Sequence, residues 1–105
     1  MTDRIEAIRK MLENQPEDVF LHYSLGMEYA AAERHADAIA EFKRCIELDE
    51  KHLPAQVEAG KALRSAGRLD EARRTFTAAM ALAAELGQSH TRDFIQQQIE
   101  ALPKE

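Results

Sequence analysis

The chain has 105 residues, of which 31% are charged and 45% are hydrophobic, and its formal net charge is −5 at pH 7. This length predicts one domain, and the lack of a basic excess argues against a dedicated nucleic-acid or anionic-membrane surface. The single cysteine excludes an internal disulfide. The sequence contains no apolar run of about 18 residues, so no membrane span is expected, and the N-terminus lacks the basic and apolar regions of a secretory signal.

Apolar residues at helical spacing predict six helices joined by short loops. The first covers 3–14 and ends before Pro16, because the residue before a proline disfavours the helical conformation. The second covers 19–32 with Asp18 as its N-cap, and the third covers 36–49. Short loops of this kind make consecutive helices antiparallel.

The second half of the chain continues the pattern. The expected helices there are 54–66, 70–86 and 90–102. Pro54 opens the fourth helix at the end where its missing N–H group costs little. Asp70 and Ser89 are the expected N-caps of the fifth and sixth helices. Gly67 ends the fourth helix, where glycine can adopt the left-handed conformation of such a turn, and Gly87 ends the fifth.

The sequence also repeats itself with a period of 34 residues. Leu25-Gly26 is followed by Ala59-Gly60, and the same shift relates further pairs: Tyr29 and Leu63, Ala38 and Ala72, Phe42 and Phe76, Ile46 and Met80. A period of this length predicts a helical repeat protein rather than a single globular core. Glu33 lies where the second copy has Gly67, so a turn with positive φ would strain Glu33 by roughly 1 kcal/mol.

The two copies, residues 19–52 and 53–86, resemble tetratricopeptide repeats. The residues that carry the resemblance are Leu25, Gly26, Tyr29, Ala38, Phe42 and Cys45 in the first copy and Ala59, Gly60, Leu63, Gly67, Ala72, Phe76 and Ala79 in the second. The resemblance implies an all-α, right-handed solenoid of six antiparallel helices forming a single domain over residues 1–105. Residues 1–18 then form an N-terminal capping half repeat, and residues 87–105 form a C-terminal capping helix and tail. In that last helix Asp93 and Phe94 replace the family's Leu-Gly pair.

In this family the first helix of each repeat usually lines a concave groove that binds a partner. The resemblance therefore predicts these partner-binding residues: Phe20, Tyr23, Ser24, Met27, Val57, Lys61 and Arg64. The expected ligand is an extended or helical peptide with apolar anchors and an acidic residue near Lys61 and Arg64. Phe20 and Tyr23 also have a structural interpretation, since both could pack on the first helix and close the core.

Some members of the family bind the C-terminal carboxylate of chaperones through a clamp of lysine and asparagine. The matching positions in this chain hold Tyr23, Met27 and Glu58. These side chains offer a carboxylate no paired donors, so we do not expect this chain to belong to that subclass.

The expected function is a protein–protein interaction module, an adaptor or scaffold in the cytoplasm. The alternative is self-association through the groove or the capping helix, so a monomer is expected with a homodimer as the other possibility. No phosphate loop, nucleophile elbow or histidine pair at helical spacing indicates an enzyme or a metal site, and no cofactor is expected. We expect the four histidines to be structural or solvated and Cys45 to be a buried, inert thiol.

Overall fold

The computed structural model describes residues 3–104, and within that range the chain forms six α-helices and no strand. Their bounds are α1 Asp3–Asn14, α2 Val19–Ala31, α3 His35–Leu48, α4 Leu53–Ser65, α5 Leu69–Glu85 and α6 Ser89–Ala101. Each helix packs against the next one in the chain, and α2 also contacts α4. The predicted all-α repeat solenoid is confirmed. Residues 1, 2 and 105, which the predicted terminal segments include, lie outside the described residues.

Three of the five connections between helices within residues 3–104 have the same type of backbone turn. After α2, Glu33 has a φ of 60°, and the Arg34 N–H donates to the Tyr29 carbonyl over 2.9 Å. The same arrangement ends α4 and α5, with Gly67 at 78° and Gly87 at 72°, and with bonds from Arg68 to Leu63 of 2.9 Å and from Gln88 to Ala83 of 2.8 Å. A bond of this span closes the last turn of a helix. The left-handed turn expected at Gly67 is confirmed, and Gly87 and Glu33 share it.

This turn also explains why two predicted N-caps are wrong. Asp70 and Ser89 lie inside α5 and α6, which begin one residue earlier than the sequence predicted. The N-cap positions belong to Arg68 and Gln88, whose side chains make no capping bond. Their backbone N–H groups already close the preceding helix. One residue therefore ends one helix and begins the next, which leaves no position for a separate capping side chain.

By contrast, α2 and α4 begin with capping side chains. The Leu21 N–H donates to Asp18 Oδ1 over 3.0 Å, which confirms Asp18 as the N-cap of α2. The Ala55 N–H donates to His52 Nδ1 over 3.1 Å. Because His52 caps α4, that helix begins at Leu53, one residue before the predicted start.

The packing within each hairpin depends on a glycine beneath a buried phenylalanine ring. A Cβ atom built on Gly26 would lie 2.6 Å from the ring of Phe42, and one built on Gly60 would lie 2.5 Å from the ring of Phe76. Both rings are fully buried. Any side chain at these glycines would overlap a ring that has no room to move. The same local packing therefore occurs twice, 34 residues apart.

The last helix departs from the repeat register. α5 has 17 residues where α3 has 14, and the tight turn at Gly87 replaces the longer loop 49–52 that joins α3 to α4. α6 packs on α5 through the buried Ile95 and Leu102. α6 begins at Ser89, two residues later than the 34-residue period would place the first helix of a further repeat.

Candidate partner-binding groove

The predicted site residues of α2 lie along one side of that helix. Phe20, Ser24 and Met27 follow one another at intervals of four and three residues, which places them on a common face. Phe20 is 72% exposed and Met27 is 37% exposed, while Ser24 is half-buried. The exposed ring of Phe20 excludes the alternative in which this residue closes the core.

Tyr23 lies at the edge of that face and is half-buried. Its ring centre is 5.9 Å from that of Phe42 and 5.3 Å from that of His52. Burial raises the pKa of the Tyr23 hydroxyl, and the negative charge of Glu58 raises it further. Tyr23 is therefore partly structural, and its polar end lies within the electrostatic influence of α4.

The predicted residues Lys61 and Arg64 of α4 differ in how available their charged side chains are to a ligand. Lys61 Nζ lies 3.4 Å from Glu58 Oε2, and the Lys61 side chain is 41% exposed. Arg64 donates a hydrogen bond to the Gln98 side chain of α6, and its guanidinium lies 5.9 Å from the centre of the Phe76 ring. Arg64 thus already joins two helices, and Lys61 is the more available cation for an acidic ligand residue.

A pocket of about 410 Å³ lies between the first halves of α4 and α6. Its apolar wall consists of Leu53, Pro54, Val57 and Phe94, and its polar lining includes Glu58, His90 and Thr91. Of the seven predicted site residues, only Val57 lines this pocket. The α6 side was not predicted. The available signal was Phe94, which occupies the position of Gly60 in the 34-residue frame.

His22 lies away from this face and has a structural role, as expected. Its Nδ1 is 2.7 Å from Glu41 Oε1 of α3, and its Nε2 is 2.8 Å from the Pro16 carbonyl oxygen. Gln56, 34 residues later, donates from Nε2 to the Glu50 carbonyl over 3.0 Å. The same helix position therefore holds the preceding loop in both repeats.

Cys45 is fully buried, and its Sγ lies 3.6 Å from the Val19 carbonyl oxygen. Burial raises the pKa of this thiol to about 11, and the charge of Glu41 adds to the effect. A buried thiol that retains its proton is a poor nucleophile, which agrees with the structural interpretation of this residue.

Within residues 3–104, no cluster of three or more histidine, cysteine, aspartate or glutamate side chains is placed to hold a metal ion. None of the helices in that range has the length and apolar character needed to cross a membrane.

The stacked hairpins and their exposed first-helix face define a helical repeat protein. A family model described as tetratricopeptide repeat matches residues 29–89, which is more than half of the chain. This protein therefore belongs to the tetratricopeptide repeat family, whose members generally act as interaction modules rather than as enzymes. No curated protein matches the chain significantly.

Solved structures share the fold. A solution structure of a protein from Bordetella parapertussis has a TM-score of 0.83 at 23% identity, over 95% of this chain and 87% of the other. The TPR2B domain of yeast Sti1, solved as a complex with pHsp70, has a TM-score of 0.84 at 23% identity, over 91% of this chain and 77% of the other. A tetratricopeptide repeat domain protein from Salinibacter ruber has a TM-score of 0.72 at 26% identity, over 80% of this chain and 85% of the other.

Proposed function

We propose that this chain binds a peptide segment or a partner helix along the first helices of its repeats and serves as an adaptor or scaffold. The observation that carries the proposal is the exposed side of α2, where Phe20 and Met27 are open to solvent. Lys61 of α4 adds a cation that is 41% exposed. We call this surface the groove, and it comprises the seven predicted site residues.

The side chains of the groove suit peptide recognition. The Phe20 ring offers a large, rigid apolar area, and the flexible Met27 side chain adapts to differently shaped partners. The pair Lys61–Glu58 is an ion pair of neighbouring turns on an accessible surface, and such pairs contribute less than about 1 kcal/mol. An acidic residue of a ligand can therefore compete for Lys61 at little cost.

A relative of the same fold supports a protein ligand. The TPR2B domain of yeast Sti1 forms a complex with pHsp70. Identity to that domain is 23%, so the ligand of this chain must be argued from its own residues. Tyr23, Met27 and Glu58 provide no clamp for a terminal carboxylate, and we therefore propose an internal segment with apolar anchors.

A peptide array probed with the purified protein tests the proposal. Wild type, Tyr23→Ala and Lys61→Glu are compared with Arg74→Glu, which makes the same change of charge on an exposed position of α5. Because Tyr23 also packs on Phe42, thermal unfolding of each variant is measured in parallel. We expect the first two variants to lose hits that Arg74→Glu retains. Identical hit lists for all four proteins would refute groove binding.

Self-association is the second candidate function, and two exposed side chains favour it. Met11 of α1 is 48% exposed and Phe94 of α6 is 41% exposed, so each end of the stack presents apolar surface. Sedimentation at low micromolar concentration separates the two candidates. The proposed adaptor is a monomer under these conditions, whereas a stable dimer that Phe94→Ser dissociates would favour self-association.

A further inference from the structure

The pocket between α4 and α6 lies where the second repeat lacks an aromatic ring that the first repeat has. Tyr23 and Val57 occupy the same position of the 34-residue frame. In the first repeat, the Tyr23 ring extends from α2 to within 5.3 Å of His52, in the loop before α4. Val57 lines the pocket and is too short to reach as far. The space beside Val57 is therefore larger than the space beside its counterpart.

A second difference keeps this space open. His52 belongs to the loop that joins α3 to α4, whereas α5 continues to Glu85 and turns into α6 at Gly87. The residue at the position of His52 is Leu86, which is 40% exposed. The chain thus replaces the pair Tyr23–His52 by Val57 and Leu86, and Leu86 does not line the pocket.

The walls of the pocket match an aromatic side chain. Leu53 and Val57 provide a buried or half-buried aliphatic surface, and the partly exposed ring of Phe94 stands on the opposite helix. Aromatic rings pack favourably edge to face at centroid separations of about 4.5–7 Å. Glu58 lines the same pocket, and its carboxylate can accept a hydrogen bond from a phenol O–H group.

We infer that this pocket receives a tyrosine side chain of the peptide partner. The inference rests on the groove binding proposed above and adds the identity of one anchor residue. The first repeat supplies the precedent, since Tyr23 occupies the equivalent position on α2 and its ring lies beside His52 at the start of α4. The carboxylate of Glu58 excludes an acidic anchor, and a phosphorylated tyrosine is rejected for the same reason.

Two soluble probes test the anchor. The ¹⁵N-labelled protein is titrated with N-acetyl-tyrosinamide and, as a control, with N-acetyl-leucinamide up to about 10 mM, a range in which fragments bind measurably. The tyrosine probe is expected to cause saturable shifts at Val57, Thr91 and Phe94. The leucine probe should cause shifts several-fold smaller. The absence of saturable shifts at these residues would overturn the inference.

Substitution of Val57 by tyrosine is the sharpest variant, because it gives the second repeat the ring of the first. Val57→Tyr should abolish the shifts caused by the tyrosine probe, whereas Ala78→Tyr, which adds the same ring at an exposed position of α5 outside the pocket, should retain them. Retention of these shifts in a folded Val57→Tyr protein would overturn the inference.

The peptide hits separate this inference from the groove itself. A hit that contains tyrosine should lose at least tenfold in affinity when that residue becomes alanine, and also when the protein carries Val57→Tyr. If the affinity for a peptide depends on Lys61 but is altered neither by replacing its tyrosine nor by Val57→Tyr, the peptide still binds in the groove. The inference that the pocket holds a tyrosine anchor is then overturned.

Discussion

Gly26 and Phe42 are packed so closely that a methyl group on the glycine would lie 2.6 Å from the ring. The ring cannot yield, since Phe42 is fully buried. Gly60 and Phe76 repeat this relationship in the next hairpin. The glycine is thus required by the close approach of the ring, although glycine lowers the helix propensity of α2.

Gly26→Ala is predicted to destabilise the protein. Helix propensity alone would favour alanine by about 1 kcal/mol, but overpacking a core costs about 1–3 kcal/mol. We expect the free energy of unfolding, measured with urea, to fall by about 1 kcal/mol. The cost should shrink in a Phe42→Leu background, because the two residues interact directly. An alanine variant as stable as wild type would contradict the packing described above.

Glu33→Gly is predicted to stabilise the protein. Glu33 holds a φ of 60°, a conformation that costs a residue with a side chain roughly 1 kcal/mol. Removing that strain should raise the melting temperature by a few degrees, given about 4–8 °C per kcal/mol for a domain of this size. Gly67→Ala is the matched control: its φ is 78° and a Cβ there meets nothing within 4 Å, so it should lower the melting temperature through the backbone alone. A lower melting temperature for the Glu33→Gly variant would show that the turn at Glu33 is not strained in the wild-type protein.

We predict that His22→Gln lowers the free energy of unfolding less than His22→Ala does. Gln56 occupies the equivalent position and holds the carbonyl of Glu50, so glutamine at position 22 can hold the carbonyl of Pro16 in the same way. Alanine removes the hydrogen bonds to the Pro16 carbonyl and to Glu41, and since water can reach both groups each loss should cost about 0.5–1.5 kcal/mol at most. Urea unfolding of both variants measures the difference. Equal losses would show that the loop contact contributes little.

Cys45 is predicted to make stability depend on pH in the alkaline range. Its pKa is raised from 9.0 to about 11 in the folded state, so the folded protein holds the thiol proton more tightly than the unfolded chain does. The resulting stabilisation is complete below about pH 9 and is lost as the pH rises toward about 11, because stability falls wherever the unfolded state binds fewer protons.

The Cys45→Ala variant provides the comparison for that pH profile. It should show a smaller decline in unfolding free energy between pH 9 and pH 11, whatever its stability at neutral pH. Parallel profiles for the two proteins would show that the thiol does not titrate differently in the folded state.

In the native protein at pH 8, a thiol reagent should modify Cys45 far more slowly than it does in denaturant.

The sequence predicted the helices and the repeat because both depend on local spacing. The 34-residue period paired Gly26 with Gly60 and Glu33 with Gly67, but it did not show that each glycine in the first pair lies beneath a phenylalanine ring. The starts of α5 and α6 were missed because a backbone bond of the preceding helix, not a side chain, fixes them. The period could not reveal that bond at Arg68 or Gln88.

The site was less predictable than the fold. The family resemblance predicted which residues of α2 are exposed, but it did not predict the partner of Arg64, since Gln98 reaches Arg64 only through the docking of α6. The pocket beside Val57 likewise depends on where α6 lies after the lengthened α5. Tertiary placement of the last helix is the information that a repeat pattern lacks.

The most direct test of the account is the dissociation constant of one array-selected peptide, measured by fluorescence polarisation. Met27→Lys places a charge on the exposed side of α2, and Ala78→Lys makes a comparable change at an exposed position of α5. If the groove binds the peptide, Met27→Lys weakens binding by about tenfold or more, corresponding to about 1.4 kcal/mol, while Ala78→Lys leaves it unchanged. Equal affinity of both variants for the peptide would contradict the account.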